Sequence, residues 1–333
     1  MSETMPLRKM SLTYSQFSDV DDYIDSISSW DAHISQLVSG RSQSSQLSVS
    51  VSNYGYLFLS HTLKSIHKSI QAEPGFTFMI PMAGETASFV DQKTTAPVIR
   101  CVPFGEAVTF ITPDDFSGVT VNISNDEMHR LLGYRYDHSQ HYGRGLYYPS
   151  AIQLRQLQIW LLEIKAHFDG VDIITQCKAE WLRVISENKV APLLLSIFGN
   201  QCDQSTKQRP KTFLSALSMI GDNIDSPPSI NELSENLGIS PRNLQYLFRN
   251  HLGVTPKHLI KAVRLNTARR RLRHSQLSHG VISDIANGLG YWHMGSFSHD
   301  FKKLFQLSPS DLLKENYESA LDANNKNSKK SVG

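Results

Sequence analysis

The sequence predicts an α+β protein of two domains: a β-rich N-terminal half and an all-α C-terminal half that contains two helix-turn-helix units. Three observations carry this. The chain has 333 residues, which is long for one core. Short β-branched and aromatic runs separated by turn residues fill positions 45–124. After residue 227 a short helix, a glycine and a second, polar-faced helix occur twice.

The strands are taken in order. LSVSVS at 47–52 alternates apolar and polar residues with period two. YLFLS at 56–60, FTFMI at 76–80, VTFIT at 108–112 and VTVNI at 119–123 follow, separated by Pro74-Gly75, Pro103 and Pro113-Asp114. Strands at this spacing imply a small sandwich or barrel. A helix is expected near Val20–Ile27, and Asn125 is placed to cap a helix through Leu132.

A loop rich in Tyr, His and Gly runs from Gly133 to Tyr148, and Pro149 then opens an amphipathic stretch at 150–168. Its Leu154, Leu157, Leu161 and Ile164 are spaced as in a short coiled-coil seam, so they serve either a homodimer contact or packing on the domain's own sheet. A further helical stretch, 173–198, is apolar enough to be buried. The domain limits are therefore 1–198 for a regulatory and dimerisation domain and 199–211 for a polar linker. Residues 212–318 form the second domain and 319–333 a disordered tail.

Composition narrows the function classes. The net charge is +2, yet residues 1–206 hold 15 Lys and Arg against 21 Asp and Glu, while 207–333 hold 18 against 10. The basic half is the one expected to meet a polyanion. Cys101, Cys177 and Cys202 are scattered, odd in number and form no Cys-x-x-Cys pair, which argues against a disulfide framework or a zinc site. No apolar run follows MSETMPLRKM, and VAPLLLSIF at 190–198 is short and holds Pro192. A cytoplasmic protein with no membrane partner is expected. No Ser-His-Asp context, phosphate loop or nucleotide glycine fingerprint occurs, so no catalytic residue, cofactor or enzyme activity is expected. His61 and His67 stand six apart without the His-x-His and Glu of a metal-binding cupin, so no metal site is expected either, and His138 and His141 read as surface residues. Arg100 is a candidate partner for an effector carboxylate, with a surface salt bridge as the alternative.

The first helix-turn-helix unit begins at Ser229. Ile230, Leu233 and Leu237 share a face, Gly238 suits a left-handed turn, Ser240 is an N-cap and Pro241 a first helical residue. The next helix, 241–251, turns Leu244, Leu247 and Phe248 inward and leaves Arg242, Asn243, Gln245, Tyr246 and Arg249 outward. The second unit repeats this: Ile282 to Gly290, then a helix from Tyr291 to Phe305 with Phe297, Phe301, Leu304 and Phe305 inward. Its outer face holds Met294, Gly295, Ser298, His299, Lys302 and Lys303.

Between the units, Thr255-Pro256 starts a helix to about His274 with the stripe Leu259, Ile260, Val263, Leu265, Ala268 and Leu272. At ~1.5 Å per residue this rod is roughly 28 Å long. Adjacent major-groove entries on one face of DNA lie about 34 Å apart. The spacing points to double-stranded DNA, read in two adjacent major grooves. Arg269-Arg270-Arg271-Leu272-Arg273 is expected to add positive charge.

The segments ISPRNLQYLFRNHLGVTPKHLIKAVRLNTARRRL at 239–272 and ISDIANGLGYWHMGSFSHDFKKLFQLSPSDLL at 282–313 resemble the AraC/XylS family of bacterial transcription regulators. GYWHMGSFSHDFKKLF resembles the branch of ethanolamine-operon and aromatic-acid catabolism activators. The resemblance covers about 100 C-terminal residues. It implies a cupin-like β-barrel with dimerising helices in the N-terminal half, a small effector, and RNA polymerase as a partner.

By position it implies base contacts from Arg242, Gln245 and Tyr246 in the first unit and from Met294, Gly295, Ser298 and His299 in the second. Asn243, Arg249, Lys302 and Lys303 would meet phosphates, and His293 is expected to cap the helix. His299 stands where arginine is common, and Gln306 replaces a common glycine, which leaves the exit of that helix open. Three readings stand: an effector-gated activator, a regulator controlled by abundance or a protein partner, and a cupin enzyme fused to a DNA-binding module.

Overall fold

The structure is a computed structural model that describes residues 10–83, 87–91, 97–132, 145–199, 210–223, 228–276, 278 and 280–318. Most of the expected 199–211 linker, the 319–333 tail, His138 and His141 lie outside the described residues. The chain divides into two compact units, Met1–Ile34 with Ser42–Gln208, and Ser35–Arg41 with Arg209–Gly333.

The first unit is built on two sheets. Its elements begin with β1 (Ser11–Phe17), α1 (Val20–Ser26) and β2 (Trp30–Gln36), then β3 (Ser44–Val51), β4 (Tyr54–His61), β5 (Ser65–Gln71) and β6 (Phe76–Ala83). Next come β7 (Ser88–Phe89), β8 (Ile99–Pro103), β9 (Ala107–Thr112), β10 (Phe116–Ile123), α2 (Asn125–Leu132) and β11 (Gly145–Tyr147). The seven-stranded sheet runs β1-β3-β4-β10-β6-β8-β11, and the four-stranded sheet β2-β5-β9-β7. The strands therefore lie in two separate sheets and are not closed into one barrel.

Period-two patterning explains the layers. In β4, Tyr54, Tyr56 and Phe58 join the core that holds the helices, while Leu57 joins the core between the sheets. A strand covered on both faces reads as a continuous apolar run, which is why YLFL does not alternate. The outer helical layer comprises α3 (Ala151–Phe168), α4 (Gln176–Ile185) and α5 (Ala191–Gly199). The α3 helix has a reciprocal capping box between Ser150 and Gln153.

Of the two readings of the 154–164 stripe, packing on the domain's own sheet is the one observed. Leu157, Leu161 and Ile164 are fully buried in this unit's own core, with Leu154 packed against it, because the stripe lies on the seven-stranded sheet. The apolar residues α3 exposes are Ile152, Ile159 and Leu162. The expected continuous helix 173–198 is interrupted by a widened turn over Ser186–Val190, where the Ala191 N–H reaches back to Ser186 O. Pro192 has no N–H for the next helical bond, so the ladder shifts just before it. At α2 the cap is Ser124, whose Oγ accepts from Glu127 N–H at 3.3 Å, rather than Asn125.

The second unit contains α6 (Lys211–Asp222), α7 (Ile230–Leu237), α8 (Pro241–Leu252), α9 (Pro256–Arg273), α10 (Val281–Gly288) and α11 (Met294–Phe305), and is helical again over 309–318. Phe213 of α6 and Phe248 of α8 meet edge-to-face at 5.5 Å, both fully buried. The second core gathers Leu265, Ala268 and Leu272 of α9 with Phe297, Phe301 and Phe305 of α11. The unit also includes Ser35–Arg41, where Leu37 is fully buried and its carbonyl is bonded to His258 Nε2 at 2.7 Å.

Candidate nucleic-acid interface and a buried cavity

Each helix-turn-helix unit is held by local chemistry. Ser229 and Glu232 form a capping box at the start of α7: Glu232 N–H donates to Ser229 Oγ at 3.2 Å, and Ser229 N–H donates to the Glu232 carboxylate at 2.6 Å. Those bonds hold the Glu232 carboxyl below its usual range. Gly238 ends α7 at φ +62°, a conformation that costs a β-carbon dearly. Ser240 Oγ then accepts from Asn243 N–H at 3.2 Å, with Pro241 in the first turn of α8.

In the second unit Gly290, at φ +79°, plays the part of Gly238. Gly290 N–H reaches Asn287 O and Tyr291 N–H reaches Ala286 O, both at 2.9 Å, which closes the end of α10. The second helix of this unit, α11, starts at Met294, three residues later than the expected Tyr291. Those three residues complete the turn instead, and Tyr291 packs edge-to-face on Phe297 at 5.2 Å. His293 occupies the N-cap position, but its imidazole makes no capping hydrogen bond, contrary to expectation.

On α8, Arg242, Asn243, Gln245, Tyr246 and Arg249 are all exposed, while Leu244 and Phe248 are fully buried and Leu247 partly so. On α11, Gly295, Ser298, His299, Lys302 and Lys303 are exposed, and Met294 is half-buried against the second core. A β-carbon on Gly295 would meet nothing, so the small residue is not there to avoid a clash inside the fold. Gln306 closes α11 at φ +55°, its N–H donating to Lys302 O at 2.9 Å. The exit therefore keeps the left-handed geometry a glycine would adopt, at a cost of roughly 1–2 kcal/mol for a residue with a β-carbon.

The basic run on α9 is partly turned inward. Arg269 is buried, with its guanidinium 5.0 Å from the Phe305 ring centroid, and Arg270, Arg271 and Arg273 are half-buried. Packing around this helix therefore turns the Arg269 charge into the unit and leaves the other three partly exposed. Lys261 of α9 pairs with Asp300 at 2.5 Å and ties α9 to α11.

Arg100 is also corrected. It is neither open to a ligand nor on the surface: it is buried, 2.8 Å from the Asp91 carboxylate and 4.0 Å from Glu106. Between the two sheets of the first unit, however, lies a cavity of about 60 Å³ with walls from Trp30, Leu59, Met79, Phe89 and Phe116. His61 and His67 line it, with ring centroids 5.4 Å apart. Sequence reasoning weighed that pair only as metal ligands. Strands β4 and β5 pair with different neighbours, so only the two-sheet packing brings the rings together. Among the described residues no group of three or more His, Cys, Asp or Glu could hold a metal ion.

Residues 233–315 match the family model described as a helix-turn-helix domain. The chain carries an AraC-type helix-turn-helix domain. The XylDLEGF operon transcriptional activator of Pseudomonas putida is 30% identical over 128 residues, 38% of this chain and 40% of that protein. The probable thc operon regulatory protein of Rhodococcus erythropolis is 34% identical over 88 residues, 26% of each chain. A solved AraC-type regulator from Chromobacterium violaceum is 28% identical, covers 32% of this chain and 91% of its own, and has a TM-score of 0.28. The match thus spans about a quarter to two fifths of the length of these curated relatives. The signal that could have located α6, which precedes the matched residues, is the 3,1,3 spacing of Phe213, Ala216, Leu217 and Ile220, all of them buried.

Proposed function

We propose that this protein is a sequence-specific DNA-binding transcription regulator, acting as an activator, whose α8 and α11 enter adjacent major grooves of double-stranded DNA. The observation that carries the reading is the pair of exposed polar faces on α8 and α11, each helix following a left-handed glycine turn. Arg242, Gln245 and Tyr246 read bases through α8; Met294, Gly295, Ser298 and His299 do so through α11. Asn243, Arg249, Lys302 and Lys303 bind phosphates. The 18-residue α9 spaces the two helices as a rod of about 27 Å.

The first unit is the regulatory part, with the role of a cupin-like domain although its sheets are open, and the cavity is the seat of a small effector. RNA polymerase is the partner that activation requires. A homodimer contact uses the exposed Ile152, Ile159 and Leu162, since the 154–164 stripe is already buried. No described helix is long and apolar enough to cross a membrane, and the protein acts on the chromosome in the cytoplasm without enzymatic activity of its own.

Footprinting on promoter DNA selected by the purified full chain tests this reading. Two protected half-sites one helical turn apart are expected, with Arg242→Ala and His299→Ala each weakening a different one. Protection of a single half-site that both variants weaken equally would overturn it.

A further inference from the structure

The turn that leads into α11 is one residue longer than the turn that leads into α8, and an aromatic side chain stands in it uncovered. The cores set the register: Leu244 and Phe248 of α8, and Phe297 and Phe301 of α11, are pairs four apart and all fully buried. Leu244 stands six places after the left-handed Gly238, but Phe297 stands seven places after Gly290. Tyr291 takes up part of the longer turn by packing on Phe297. Trp292 is left outside at 80% exposed, and among the described residues no ring or hydrogen-bond partner holds it. The fold gains nothing from an indole in water, which forgoes the stabilisation that burial brings. Tryptophan is among the residues enriched where binding energy concentrates at an interface.

The same register shows what the neighbouring face lacks. Gly295 falls where α8 has Arg242, Ser298 where it has Gln245, and His299 where it has Tyr246. A long arginine is thus replaced by a residue without a side chain, and a β-carbon there would still meet nothing, so the space in front of the first turn is open. Trp292 directly precedes the N-cap residue of that turn.

The charge around the indole says what covers it. From 292 to 303 no exposed residue carries a carboxylate: Asp300 is half-buried and paired with Lys261, while Lys302 and Lys303 are exposed. A lone indole among small polar and cationic groups is not the contiguous apolar patch that marks a protein partner; the setting suits a polyanion. In a helix-turn-helix unit on DNA, the N-terminal end of the second helix approaches base edges in the major groove. The one apolar group that any base edge presents there is the C5 methyl of thymine.

We propose that Trp292 is a base-selecting residue: in the second half-site its ring packs on the C5 methyl of a thymine, near the place that Arg242 fills in the first. The inference rests on the DNA-binding reading above and adds an apolar contact to its polar ones.

Two measurements on the purified full chain and a duplex it selects test this. The first is acrylamide quenching of tryptophan emission. Trp30 is buried and Trp160 and Trp181 partly so, which leaves Trp292 as the most accessible of the four. The duplex is expected to shield the quenchable emission, and Trp292→Phe should abolish most of that change. The second replaces the thymines one at a time by deoxyuridine, which removes the methyl and keeps every hydrogen-bonding group. One or two replacements in the half-site under α11 should each cost about four-fold in affinity, the worth of one buried methyl. Trp292→Ala should lose that discrimination while Arg242→Ala keeps it. If either variant fails to fold, shielding and the deoxyuridine scan on the unaltered chain decide. Binding that leaves Trp292 quenchable would free the ring for a protein partner and overturn the proposal. So would a scan in which no methyl matters, or equal losses for Trp292→Ala on thymine and deoxyuridine duplexes. Those outcomes leave the DNA-binding reading standing, whereas a chain that selects no duplex removes both.

Discussion

Asn266 on α9 is paired with the backbone of Gln36 in both directions: Gln36 N–H donates to Asn266 Oδ1 at 3.1 Å, and Asn266 Nδ2 donates to Gln36 O at 3.0 Å. A side-chain amide thus does for Gln36 what a neighbouring strand would do. The same residue's Nε2 donates to Leu304 O at 3.0 Å, and Gly40 N–H reaches that carbonyl at the same distance. Within the second unit, residues 35–41 therefore join α9 to the end of α11. Asn266→Leu would leave a buried N–H and a buried C=O without partners, at roughly 1–3 kcal/mol each. Urea denaturation of the DNA-binding unit in the full chain should show a loss of that order. A loss below about 0.5 kcal/mol would mean that the pair contributes nothing net.

The two reading faces should fail in different ways. Arg242→Ala or Gln245→Ala is expected to cost about 1–3 kcal/mol on the preferred sequence and little on random DNA. Lys303→Ala should weaken all sequences alike and flatten the dependence of affinity on salt. Titration of both DNAs at several salt concentrations separates the outcomes, and equal losses for Arg242→Ala on both would remove its base-reading role.

Gln306 sits in a conformation that disfavours any β-carbon. Gln306→Gly relieves about 1–2 kcal/mol of strain and gives back roughly 0.5–1 kcal/mol in unfolded-chain entropy. A slightly higher thermal midpoint is expected. Gln306→Val, β-branched and stiff, should lower it.

Acid should destabilise the first unit before its carboxylates titrate. In the unfolded chain His61 takes a proton near pH 6.5, but in the fold burial delays this to about 4, and His67 is lowered as well by burial and by the neighbouring His61. The unfolded state therefore binds more protons as pH falls through that window, and stability drops. Above pH 6.5 this contribution is flat; by pH 4 it reaches up to about 3 kcal/mol for His61 alone. Stability against pH for His61→Phe should be flatter between those limits, and an unchanged slope would mean that His61 is solvated.

Two kinds of charge substitution on α3 distinguish packing from association. Leu157→Glu and Leu161→Glu place a charge in a fully buried core and should unfold the unit. Ile159→Glu with Leu162→Glu should leave the fold intact and shift the assembly state measured by sedimentation.

How much was legible followed from how local each feature is. The first helix-turn-helix unit was readable almost to the residue, because Ser229, Gly238, Ser240 and Thr255 act within one turn of where they stand. Strands β3, β4, β6, β9 and β10 announced themselves by β-branched and aromatic runs. Strands β1 and β5 did not, because SLTYSQF and SIHKSIQ mix polar residues into both faces; β2 was missed although Trp30, Ala32 and Ile34 alternate with Asp31, His33 and Ser35. The identity of β1 and β5 depends on the partner strand. The buried Arg269 of α9 and the buried Arg100 were not legible for the same reason, since a charge is satisfied by residues far away in the chain.

By itself the sequence determined the two-domain α+β organisation, the order of strands then helices, the helix-turn-helix pair and the outward faces of α8 and α11. Those are set by φ preferences, capping groups and period, all within about four residues. Only the tertiary structure decided which face of α3 is spent on the core, and that residues 35–41 belong with the DNA-reading unit. It also brought His61 and His67 together around an apolar cavity in two sheets that never close. Each of those outcomes is a matter of which distant backbone or side chain satisfies a buried group, and no local pattern encodes that.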